Sequence, residues 1–204
     1  MAMAQHATSV EAHRTSTGLS NAKIGVWAFL ASECLLFGAL ISTFLLYRDR
    51  TLPGTPTPLK VYDIPYTSVS SFVLLMSSLT MVLALAAIQR GDHAKLRAWL
   101  MATALLGMTF IAGQVYEFTR FVQEGLTLKT NLFGSTFFVL TGFHGAHVTI
   151  GILMLLSLFG MSLDGRLGTD KAEVVELVGL YWHFVDIVWI VIFTVVYLIP
   201  TGGK

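Results

Sequence analysis

An all-α fold, a membrane-spanning bundle of five transmembrane helices, is what this sequence predicts, and three observations predict it. Of its 204 residues 54% are hydrophobic and only 12% charged, about half the charged share of a soluble domain. Five apolar runs reach the roughly 20 residues a helix needs to cross a bilayer. Several of those runs hold an ionisable side chain at mid-depth, which lipid does not tolerate without a partner, so the helices must shelter these groups against one another.

Residues 1–22 are polar and lack an apolar signal-peptide core, which predicts a retained, loosely ordered tail. Residues 23–204 then form the membrane domain, and its first helix acts as its own insertion signal. That helix is placed at Ile24 to Leu46, with Trp27 suited to the interfacial belt and Glu33 in its middle. The connection that follows holds four of the five prolines, Pro53, Pro56, Pro58 and Pro65, which stop helix continuation. It is expected to be the longest non-helical segment.

The second span, Ser68 to Ile88, has no charge but carries Ser70, Ser71, Ser77 and Ser78. The third, Ala98 to Tyr116, begins near Trp99; Gln114 near its end and Glu117 just beyond it share one face. Leu132 to Leu163, the fourth, is longer than a straight crossing requires, which predicts tilt or projection past the lipid. Its Gly134, Ser135, Gly142, Gly145, Ala146 and Gly151 read as a surface for close helix approach. The fifth is placed at Leu177 to Ile199, with Trp182 and Trp189 flanking Asp186 and Glu176 just ahead of the apolar run.

Lys and Arg divide seven to six between the two sides when five crossings are assumed, the larger set including the N-terminus. The positive-inside tendency therefore puts the N-terminus in the cytoplasm and the C-terminus outside. A net charge of +1 gives no reason to expect nucleic acid as a partner. The single cysteine, Cys34, excludes an internal disulfide, a CxxCH haem attachment and an iron-sulfur cluster held by this chain alone.

The sharpest signals are TGFHGAH (Thr141 to His147) and YWHFVD (Tyr181 to Asp186). His144 and His147 are three apart, as are His183 and Asp186, so each pair lies on one helix face. At 1.5 Å per residue, counted from the N-terminal side, Glu33 and Asp186 fall at roughly 14 Å, His183 at roughly 9 Å, His147 at roughly 18 Å and His144 at roughly 22 Å. One buried polar layer is expected, with Glu33 partnered from another helix or another chain.

A metal site and a hydrogen-bond network are the competing readings of these residues. A di-iron site wants Glu-x-x-His pairs on two helices, and none occurs; a dinuclear copper site wants thiolates, and there is one. Bis-histidine haem ligation by His183 with His144 or His147 stays geometrically open. A proton path is a further reading, although the second span contributes only hydroxyls. A network of hydrogen bonds with no metal and no haem is the expectation.

The stretches SECLLFGALISTFLLY (Ser32 to Tyr47), GSTFFVLTGFHGAHVTIG (Gly134 to Gly151) and GLYWHFVDIVW (Gly179 to Trp189) resemble subunit III of the haem-copper terminal oxidases. The likeness extends to QVYEF (Gln114 to Phe118) and to Glu176, and so covers roughly Ile24 to Ile199. Mitochondrial members have seven membrane helices, and this chain matches the last five, as short bacterial forms do. The missing pair forms the cleft that holds phospholipid in those members, so that cleft does not carry over, and membrane phospholipid at the subunit interface is expected from packing alone.

The resemblance implies a chain without a cofactor of its own and without catalytic or metal-binding residues. Haem and copper would belong to its partners, the catalytic subunit I and subunit II. Such a subunit III supports sustained turnover of subunit I and its proton uptake during aerobic respiration. Glu33, His144, His147, His183 and Asp186, with Gln114, Glu117 and Glu176, would be structural or modulatory positions. A bacterial inner-membrane cytochrome c oxidase is the assembly implied. The rivals are a quinol oxidase, a nitric oxide reductase accessory subunit, an independent proton or ion transporter, and a haem-binding cytochrome.

Overall fold

The computed structural model of the protein describes residues 18–50 and 62–199. Five long helices follow one another: α1 (Asn21–Tyr47), α2 (Ile64–Gln89), α3 (His93–Gln123), α4 (Leu132–Leu163) and α5 (Ala172–Phe193). A 3-10 turn, Thr169–Lys171, precedes α5, and a π-helical turn, Thr194–Leu198, extends it. All five are long and apolar enough to cross a membrane. The expected five-span, all-helical architecture is therefore observed.

The chain divides into two compact units whose boundary falls inside α1, between Leu36 and Phe37. In the first unit, the polar tail expected over residues 1–22 lies largely outside the described residues. Its last two positions, Asn21 and Ala22, are already helical. Ser20 starts the helix, its hydroxyl accepting from the Lys23 backbone N–H at 3.2 Å, the ordinary chemistry of an N-cap. Glu33 belongs to this unit and is the one acidic side chain in α1.

The second unit begins with the last three turns of α1 and contains α2 to α5. Of the prolines in the long connection, Pro53, Pro56 and Pro58 lie outside the described residues. Pro65 sits in the first turn of α2 instead of ending the loop, where a missing N–H costs nothing. Asp63 caps that turn by accepting from the Tyr66 N–H at 3.2 Å. A tight turn joins α2 to α3 through Gly91, whose φ of +73° suits a residue without a Cβ. Asp92 caps α3, and the Lys95 backbone N–H and ammonium, the latter at 2.9 Å, hold its carboxyl below the usual carboxylate range.

α3 starts five residues earlier and runs seven residues further than the apolar run Ala98 to Tyr116. Hydropathy falls at Glu117 and Arg120, but the backbone ladder does not, because both side chains find partners on α2 or just ahead of it. Arg120 reaches Asp63 at 3.2 Å and Glu124 at 3.2 Å. α4 has the bounds its sequence predicts, with Asn131 capping through the Gly134 N–H at 2.7 Å.

α2 packs on α3, α3 on α4, α4 on α5, and α5 back on α2. Close approach is set by glycine. A Cβ on Gly107 of α3 would stand 2.6 Å from Trp182, and one on Gly151 of α4 would stand 2.7 Å from the same indole. Trp182 is fully buried, so α5 inserts one flat ring between two helix backbones. Small residues let this happen where lipid supplies no hydrophobic drive for helix association.

Candidate functional site

One series of buried polar side chains in the second unit lines the seam between α2 and α5. Ser78 is the shared partner of the YWHFVD pair: its hydroxyl donates to Asp186 Oδ2 and lies 2.9 Å from His183 Nδ1. A serine has one proton to give. With that proton on Asp186, the hydroxyl oxygen accepts from His183, which fixes the proton on Nδ1 of the imidazole. Asp186 is buried and His183 half-buried, so the three residues tie α5 to α2 through a low-dielectric interior.

Further along the same seam, Trp182 Nε1 donates to Ser77 Oγ at 2.9 Å and Trp189 Nε1 donates to Ser71 Oγ at 2.8 Å. At its far end Glu117 Oε1 accepts from Thr67 Oγ1 at 2.9 Å and from Tyr197 OH at 3.2 Å. The two helices run antiparallel, so Ser71 and then Ser77 along α2 meet Trp189 and then Trp182 in reverse order along α5, with Glu117 bridging Thr67 to Tyr197 beyond the end of α5. The sequence marks the serines as packing residues and the tryptophans as filling. What joins them is a spacing of six on α2 matched to a spacing of seven on α5.

The TGFHGAH histidines behave differently from that seam. His144 is completely buried, and neither ring nitrogen has a hydrogen-bond partner among the described residues. Its ring stacks on Trp189, centroids 4.8 Å apart at 26°, and meets Phe110 edge-on at 5.9 Å. The expectation that all the buried histidines join a hydrogen-bond network is corrected here for His144. Aromatic rings on α3 and α5 occupy the space that polar partners would need. His147 is half-buried, and its Nδ1 donates to the Phe143 carbonyl one turn back at 2.8 Å. Phe37 packs against its ring at 5.0 Å, and the His147 carbonyl accepts from Tyr181 OH at 3.0 Å.

Gln114 is buried and its Nε2 donates to the Thr141 carbonyl at 2.7 Å, joining α3 to α4. Gly145 makes room for it, since a Cβ there would stand 2.7 Å from Gln114 Oε1. Glu176 is half-buried near the start of α5. Sequence-predicted polar residues of the second unit thus bond in three separate places: Ser78–His183–Asp186, Thr67–Glu117–Tyr197, and the Gln114–Thr141 contact beside His144. Glu33 stands in the first unit. Among the described residues, no group of three or more His, Cys, Asp or Glu is arranged to hold a metal ion.

Chemically the seam can hold helices in register and keep protons at defined atoms. Replacing Ser78 by alanine is expected to cost about 1–2 kcal/mol, since it removes the only described partner of Asp186. Detergent-titration unfolding should register it, while Ser68→Ala, whose hydroxyl bonds only the Ile64 carbonyl of its own helix, leaves the midpoint in place. In a double-mutant cycle with Asp186→Asn, the two changes should be less than additive; full additivity would rule out the shared bond.

Comparison with known proteins supplies the family. The model of the family described as cytochrome c oxidase subunit III matches residues 2–201. The chain is 38% identical to a cytochrome c oxidase subunit 3 from Bacillus sp. strain PS3, over 90% of this chain and 88% of that one. It is also 38% identical to a quinol oxidase subunit 3 from Bacillus subtilis strain 168, over 94% and 93%. A cytochrome c oxidase subunit 3 from Synechocystis is 43% identical over 86% of this chain and 74% of its own. A five-span helical chain matched along nearly its whole length in this way belongs to the cytochrome c oxidase subunit III family, as a multi-pass membrane subunit of a haem-copper oxidase.

Proposed function

We propose that the chain is the non-redox accessory subunit of a bacterial cytochrome c oxidase, stabilising the catalytic subunit and supporting its proton uptake in the plasma membrane. The observation that carries this reading is the near full-length match to oxidase subunits, with 43% identity to one named for cytochrome c. The helix seams support it as well, because Ser78, His183, Asp186, Gln114 and Glu117 bond between helices of the chain itself. Haem and copper belong, in this reading, to subunits I and II. The N-terminus is cytoplasmic and the C-terminus outside, as the distribution of Lys and Arg favours.

A quinol oxidase is the second reading, favoured by the 38% match to such a subunit over 94% of the chain. Affinity purification from the native membrane, followed by haem analysis and oxygen consumption with cytochrome c and with a quinol, separates the two. Turnover with cytochrome c supports the first reading; turnover with quinol alone overturns it. A preparation free of haem and of other subunits would overturn both.

Glu33 is the position where the accessory role is most exposed to test. It occupies the family glutamate of SECLLFGAL and is the one acidic residue of α1. Glu33→Ala is expected to shorten the active lifetime of the oxidase during turnover, or to weaken subunit retention in detergent, with the haem spectrum unchanged. Loss of haem with normal retention would contradict the assignment.

A further inference from the structure

On the outer face of α3, away from the polar seams, Val115, Phe118 and Val122 line one wall of an apolar groove of about 750 Å³, closed by Phe138 of α4 and by Leu128 of the connecting loop. That volume lies within the range of roughly 300–1,000 Å³ typical of ligand sites. Phe118 and Phe138, both lining it, meet edge-on at 5.0 Å. Val115, Val122 and Leu128 are more than half exposed, so the walls are open to whatever surrounds the helices.

The end of the groove is different from its walls. Lys129 and Gln123 stand there, and Lys129 is exposed. Its ammonium makes no ion pair with a described residue, whereas the neighbouring Arg120 is bonded to both Asp63 and Glu124. The loop bearing Lys129 is held in place. The Leu126 N–H donates to the Phe121 carbonyl at 2.9 Å, and Ser135 Oγ donates to the Leu128 carbonyl at 2.5 Å. α3 has 31 residues, about 46 Å at 1.5 Å per residue, against a hydrocarbon core of roughly 30 Å. Its last turns, and with them Lys129, therefore reach the headgroup level, while Val115 and Phe118 lie deeper.

We propose that this groove is a binding site for one anionic phospholipid, its acyl chain along Val115, Phe118, Val122 and Phe138 and its phosphate at Lys129. An apolar trough with a single uncompensated cation at the headgroup end matches such a molecule in both polarity and charge. A zwitterionic lipid fits the trough but brings its own cation to Lys129. One lysine near an anionic headgroup corresponds to roughly a fivefold preference.

The test uses the full chain, purified in the assembly it forms in the membrane and reconstituted into vesicles of phosphatidylcholine and phosphatidylglycerol. Each lipid in turn carries a photoreactive diazirine on its acyl chain. Phosphatidylglycerol is expected to label the segment 115–128 and Phe138 several-fold more than phosphatidylcholine does. Lys129→Gln should bring the two to parity without changing the labelling of α1, and Val122→Trp, which fills the trough, should remove both. Equal labelling by the two lipids in the parent protein, indifferent to Lys129→Gln, overturns the site. So does a benzophenone at position 115 that crosslinks to another subunit instead of to lipid.

Discussion

Trp182→Ala is expected to be the most damaging single substitution in the second unit, lowering its stability by about 3 kcal/mol or more. Three losses coincide. The indole is fully buried, and its removal leaves a void bordered by Gly107 and Gly151, which have no side chains to collapse into it. Ser77 also loses the donor that reaches it at 2.9 Å. In lipid the cost comes mainly from lost packing between helices, not from transfer of apolar surface out of water. Unfolding followed by tyrosine and tryptophan fluorescence should show the drop, and Trp182→Phe should recover the larger part of it, since a ring still fills the gap. Recovery by Phe to no more than the alanine level would mean the hydrogen bond to Ser77 outweighs the packing.

Gly107→Ala and Gly151→Ala are expected to follow, each costing about 1–3 kcal/mol by overpacking. The new methyl would meet Trp182 at 2.6 Å and 2.7 Å respectively, distances that a ring wedged from both sides cannot escape by turning. The two substitutions press on the same ring, at Cη2 and Cζ2 from Gly107 and at Cε3 and Cζ3 from Gly151, so their effects are expected to be non-additive. Gly142→Ala and Gly160→Ala, where a Cβ would meet nothing within 4 Å, serve as controls on the same helix and should leave the unfolding midpoint within experimental error. A drop at the controls equal to that at Gly151 would show that helix flexibility, not the Trp182 contact, is at issue.

Much of the architecture was legible along the chain because membrane crossing is a local constraint. A segment must be apolar for about 20 residues and must satisfy its own backbone, and both conditions are written in consecutive residues. α4 accordingly has the bounds expected from its apolar run. α3 does not, because Glu117 and Arg120 read as the end of a span until Thr67, Tyr197 and Asp63 are seen to receive them. The register of the YWHFVD pair was legible for the same local reason, since three residues along a helix share a face. Their common partner was not, since Ser78 is 105 and 108 residues away in sequence.

His144 shows the limit most clearly. Buried imidazoles usually find a hydrogen bond, and sequence offers no way to know that Trp189 and Phe110, on two other helices, stack and press on this one. Composition and periodicity determined that the chain is a helical membrane protein, where its five crossings lie and which side chains cannot face lipid. Only the tertiary structure decided which of those side chains meet, that α2 serines bond α5 tryptophans, and that one ring is gripped by two glycines. The first set follows from what each segment requires of its solvent; the second depends on contacts between residues that the chain keeps far apart.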